Sequence, residues 1–163
     1  MPHDLLTAID ELRSYELKDV ILSTRAWAAW RPIVSPLSWQ ICHFSKTPAT
    51  AIPNTKKGVY TFVIQPGIAE HPLCAYLVYV GKAAGRDGFR DRYQKYLKEY
   101  KSDHTTRPKI YQMINRWYEH LWFCYAEATD PHIETLEDEL LKAFLPPMNT
   151  DYPAEISAPM RAF

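Results

Sequence analysis

Gly58-Val59-Tyr60-Thr61-Phe62-Val63-Ile64 and Cys74-Ala75-Tyr76-Leu77-Val78-Tyr79-Val80-Gly81 are the two stretches that decide the fold. Each is a short run of β-branched and aromatic residues bounded by turn formers, which is the pattern of a strand. The segment between them, Gln65 to Pro72, is turn-rich and holds Pro66 and Gly67. Two such runs joined by one loop pair most simply as an antiparallel hairpin.

Downstream of the hairpin the apolar period changes from two to nearly four. After a turn at Gly85 and Gly88, the residues Phe89, Tyr93, Tyr96, Leu97 and Tyr100 recur at helical spacing among basic side chains. Pro108 suits the first turn of a second helix, where a missing N–H costs nothing, and Ile110, Met113, Ile114 and Trp117 form its stripe. Leu121 to Ala126 is a third β-type run. Asp130 can cap a last helix carrying Ile133, Leu136, Leu140, Leu141 and Phe144, which Pro146-Pro147 stops. The expectation is an α/β (α+β) domain: a small three-stranded mixed or antiparallel sheet flanked by three helices, in the order β-β-α-α-β-α.

Upstream, residues 3–16 and 19–30 read as helices, and 32–53 as an irregular, proline-rich connector containing Trp39. The plan is therefore an N-terminal helical extension over 1–55, an α/β domain over 56–150 and a tail over 151–163. The N-terminus shows no basic region followed by an apolar run, and no apolar stretch is long enough for a membrane span. Cys42, Cys74 and Cys124 are an odd, scattered set, unlike a disulfide framework or a thiolate zinc site. A cytoplasmic location without membrane contact is expected.

The net charge is zero, but its distribution is uneven: +1 over residues 1–79, +6 over 80–118 and −7 over 119–163. A basic middle and an acidic end fit a chain that grips phosphates and carries carboxylates for a cation. Charge blocks also arise simply as solvated helix faces. None of His43, His71, His104, His120 and His132 has metal-ligand spacing with another histidine.

Residues 56–150 resemble the GIY-YIG nucleases. The two halves of the family's name motif appear as Gly58-Val59-Tyr60 and Tyr79-Val80-Gly81, the latter followed by Lys82-Ala83. Phe89-Arg90-Asp91-Arg92 matches the pattern that precedes the family's catalytic arginine and points to Arg92. Tyr96 lies four residues later, as in the bacterial excision-repair members. Glu137-Asp138-Glu139-Leu140-Leu141-Lys142, followed by Pro146 and Asn149, matches the helix that carries the family's metal-binding glutamate. The loop between the motif halves is longer than in the family, and Gly85 to Gly88 is a short insertion. Arg90 and Arg86 therefore stand as alternatives to Arg92.

The resemblance implies a DNA endonuclease using one Mg²⁺ or Mn²⁺. Glu137 would hold the metal. Arg92 would stabilise the phosphoryl charge, since its guanidinium can engage phosphate oxygens bidentately. Tyr60 would hold or deprotonate the attacking water, its phenol lowered by positive charge from Lys82 and the metal. Tyr79 and Tyr96 would support it by hydrogen bonding, and Lys82 completes the catalytic set. Arg86, Arg90, Lys95, Lys98 and Asn149 are assigned to substrate binding, although Asn149 suits locking the end of the last helix better than touching substrate. Glu134 and Asp138 compete with Glu137 as metal ligands. DNA is the expected partner, with a protein partner or a homodimer as further options. A DNA-binding or partner-dependent module with little independent activity is the alternative.

Overall fold

A computed structural model describes residues 37–65, 75–102 and 106–154 of the chain. The predicted helices over 3–16 and 19–30, most of the loop after Ile64 and the end of the tail lie outside the described residues. The elements are β1 (Trp39–His43), β2 (Gly58–Ile64), β3 (Tyr76–Ala83), α1 (Phe89–Leu97), α2 (Pro108–Trp117), β4 (Leu121–Glu127) and α3 (Asp130–Phe144). Single 3-10 turns lie at Ala49–Ala51 and Tyr118–His120. No helix among the described residues is long and apolar enough to cross a membrane.

The sheet has four antiparallel strands in the order β1-β4-β2-β3, where three were expected. The fourth is β1, taken from the segment read as an irregular connector. Its five residues pair with β4 from Trp39 opposite Ala126 to His43 opposite Trp122. Such a short edge strand is specified by the free edge of β4 more than by its own composition, so local patterning does not reveal it. The boundary at residue 55 moves with it: Phe44 and Ile52 are buried in the core.

β2 alternates its side chains across the sheet. Tyr60 and Phe62 join an aromatic core with Phe44, Phe89, Tyr93, Tyr96 and Phe123, capped by Ile110, Met113 and Ile114 of α2. Val59 faces the other way and packs with Val80, Ala126, Leu136, Leu140 and Leu141, most of them supplied by α3. β3 carries a bulge opposite Phe62/Val63, where Tyr79 and Leu77 pair in succession and Val78 is passed over.

The start of α1 is fixed by the chain that precedes β2. The N–H groups of Phe89 and Arg90 donate to the carbonyls of Lys56 and Pro53, and the Gly88 N–H donates to Asp91 Oδ2 at 2.9 Å. These contacts satisfy donors that a helix cannot pair internally. α3 begins at its predicted cap, one residue early: Thr129 is the N-cap, and Asp130 and Pro131 occupy the first turn. It ends where Leu145 adopts a left-handed conformation before Pro146-Pro147.

Candidate active site

Tyr60 lies at the centre of β2, opposite Gly81 of β3. A Cβ on Gly81 would stand 2.6 Å from the Tyr60 hydroxyl and 2.7 Å from its Cζ. The tyrosine of the first motif half therefore lies directly on the glycine of the second, and the two halves form one packing unit across the strand pair. The Tyr60 hydroxyl is 2.8 Å from that of Tyr96 on α1. Tyr79 is the third phenol, with ring centroids 6.4 Å from Tyr60 and 6.0 Å from Tyr96. Tyr60 and Tyr96 are buried, while Tyr79 is half-buried.

Burial sets the electrostatics of this cluster. It pushes the Tyr60 phenol well above the ordinary value, a neighbouring Tyr79 adds to the effect, and Arg92 offsets it only in part. Burial likewise raises Tyr96, reinforced by Tyr60 and Tyr79. The cation that acts on Tyr60 is Arg92, not the expected Lys82. Lys82 is committed elsewhere: its Nζ lies 2.9 Å from Glu137 Oε2 and 3.3 Å from Glu134 Oε1 on α3. The hydrogen bond to Glu137 raises the Lys82 pKa, so its charge is secure at neutral pH.

Arg92, on the turn of α1 before Tyr96, keeps about a third of its side chain exposed. Its Nε is buried without a hydrogen-bond partner and lies 3.5 Å from Asp87 Oδ2. Asp87 also receives Lys95 at 2.5 Å, a contact that, with Arg92 beside it, lowers the aspartate's pKa. Asp87 was not anticipated. It sits in the insertion before α1, where only an acidic residue ahead of a basic helix hints at the pairing.

The three candidate arginines have different occupations. The Arg90 guanidinium donates to the carbonyls of Ile52 at 2.8 Å and Thr50 at 3.1 Å, so it clamps α1 to the segment after β1. Arg86 is on the exposed turn. Arg92 adds positive charge near the Tyr60 phenol. Lys98 is exposed at the C-terminal cap of α1, beyond this group.

Glu137 borders a cleft of about 400 Å³ between β3, α3 and the chain after it, with Tyr79, Lys82, Asp138 and Asn149 among the lining. Asn149 does not offer a free amide there. Its Oδ1 accepts from the Val80 N–H at 3.0 Å and its Nδ2 donates to the Val80 carbonyl at 2.8 Å. It thus completes the outer edge of β3 and positions the end of α3, the helix-end role read from the sequence rather than a free amide for substrate. Arg107 also escaped sequence reading. It pairs with Glu99 at 2.6 Å and lies over the Tyr96 ring, 5.3 Å from its centroid. Its only sequence signal is a basic residue preceding Pro108.

Glu137 is one of the carboxylates at this cleft, and its Oε2 is held by the Lys82 ammonium. Among the described residues no group of three His, Cys, Asp or Glu side chains is gathered to hold an ion by protein ligands alone. One carboxylate is enough for an ion that keeps most of its waters and shares phosphate oxygens.

No protein-family model, no curated protein and no solved structure matches the chain. The resemblance therefore rests on the residues themselves.

Proposed function

We propose that the protein is a divalent-metal-dependent DNA endonuclease of the GIY-YIG type that hydrolyses phosphodiester bonds. The observation that carries this reading is the convergence of Tyr60, Tyr96, Arg92 and Glu137. These residues come from β2, α1 and α3; the Tyr60 and Tyr96 hydroxyls are 2.8 Å apart, Arg92 lies one turn before Tyr96, and Glu137 lines one cleft with Tyr79, whose ring lies beside both phenols. A phosphoryl transfer needs a positioned water, charge stabilisation on the phosphoryl oxygens and a hard cation, and these side-chain types answer each need.

Glu137 would hold one Mg²⁺ or Mn²⁺, which when bound supplies Lewis acidity at a phosphoryl oxygen and acidifies a coordinated water. Arg92 binds the other phosphoryl oxygens, and Asp87 orients its guanidinium. Tyr60 stays protonated at neutral pH. Its role is to orient the attacking water by hydrogen bonding, with Tyr96 fixing the direction of its hydroxyl; the base role anticipated from sequence is disfavoured by its burial. Lys82 holds the Glu137 carboxylate toward β3 and adds positive charge beside Tyr79. The exposed Arg86 and Lys98, with Lys95, provide backbone contacts for DNA, so affinity should fall steeply with salt.

One observation favours the alternative of a binding module: the Tyr60 hydroxyl is buried against Tyr96. Cleavage of supercoiled, single-stranded and branched DNA separates the two. Expected is cutting with Mg²⁺ or Mn²⁺, none with EDTA, and a loss of at least about 10²-fold in Arg92→Ala and Glu137→Ala. DNA binding without cutting under either metal, or cutting that survives both substitutions, overturns the nuclease reading.

A further inference from the structure

The sheet face opposite the phenols is only partly covered. α3 packs on β2 and β3. Beside it, over β1 and β4, lies an almost wholly apolar groove of about 760 Å³, its walls including Trp39, Ile41, Cys124, Leu140 and Phe144. Ile41 is 64% exposed and Phe144 44%. Two large exposed apolar side chains facing one concavity are the mark of a contact surface.

The chain itself arrives at this groove. Leu37, the first described residue, already lines it, and Trp39 lies two residues further along the same face. Thirty-six residues precede Leu37. Within them Asp19-Val20-Ile21-Leu22-Ser23-Thr24-Arg25-Ala26-Trp27-Ala28-Ala29-Trp30 is the most apolar stretch, with one acidic and one basic residue that cancel. The six residues from Arg31 to Pro36 can span roughly 20 Å when extended, enough to return the stretch over a groove that starts at Leu37.

We propose that Asp19–Trp30 of the same chain docks in this groove, with Trp27 and Trp30 as apolar anchors against Ile41 and Phe144. A tethered segment competes at an effective concentration in the millimolar range, ahead of a second copy or a free partner of similar chemistry. The docked segment covers the groove on the side of the sheet away from the phenols.

Limited trypsin digestion of the full chain tests this at Arg25, inside the stretch. Ile41→Glu combined with Phe144→Glu alters only exposed positions of the described domain. Trp27→Glu combined with Trp30→Glu tests the same contact from the other side and keeps the test valid if the first pair misfolds. Expected is slow cutting at Arg25 in the parent chain and at least tenfold faster cutting in each double variant, with circular dichroism unchanged. Equal rates in parent and variants overturn the proposal. So does protection that disappears on dilution together with a dimeric mass, because a second copy would then be the occupant.

Discussion

The two faces of the sheet are built on opposite principles. The face toward α1 and α2 is aromatic and closed: Phe62 alone makes ring contacts with Phe44, Tyr79, Tyr96 and Phe123. The face toward α3 is aliphatic and covered over β2 and β3, with an open groove beside it. Both faces are drawn from the same strands at alternate residues. The difference teaches that the closed face is where polar groups can be held in one geometry. A phenol pair such as Tyr60 and Tyr96 is directional only when rigid packing surrounds it. The face toward α3 has room for a docking segment over β1 and β4, and its covered part holds the Lys82–Glu137 ion pair.

The largest effect that bears on this contrast is expected from Phe62→Ala. A fully buried aromatic in a closed core should cost about 3–5 kcal/mol, measured by urea unfolding. Leu77→Ala, half-buried on the open face, should cost about 1 kcal/mol. Equal costs would break the contrast.

Next comes Gly81→Ala. The added methyl meets the Tyr60 hydroxyl and ring, so Tyr60 must leave its place beside Tyr96. Cleavage should fall by about 10²-fold, since small misplacements at a reacting centre have effects of that size. Retained activity at normal stability would show that the phenol geometry is not used.

The smallest effect sharpens the electrostatics of the closed face. Tyr60 and Tyr96 have folded-state pKa values raised above the ordinary 10.0 by burial. Their contribution to stability is thus fully present below about pH 10 and is lost as pH rises toward the folded values. Denaturant midpoints measured between neutral pH and pH 11 should fall at the alkaline end, less steeply in Tyr96→Phe. An identical slope in that variant would mean that the buried phenols do not govern the loss.

Much of this architecture was legible in the chain. β2, α2, β4 and α3 follow from apolar periods bounded by Gly and Pro, and Pro108 and Pro131 lie in the first turns of their helices. β1 was not legible, because five residues between prolines carry too little pattern and their pairing is supplied by β4. The candidate site divides in the same way. Tyr60, Tyr79, Arg92, Tyr96 and Glu137 were named from motif spacing. Asp87 beneath Arg92, Arg107 over Tyr96 and the clamp made by Arg90 depend on which loops and helices meet.

The sequence by itself determined which residue types are present at which spacing: two strands carrying Tyr60 and Gly81, a basic helix carrying Arg92 and Tyr96, and an acidic helix carrying Glu137. Those are local properties of period, capping and charge. Only the tertiary structure decided which cation faces Tyr60, how far burial holds that phenol in its neutral form, that Asn149 is spent on the edge of β3, and that one face of the sheet stays partly open. Each of these depends on distance and desolvation between segments remote in the chain, and neither quantity is encoded by spacing along it.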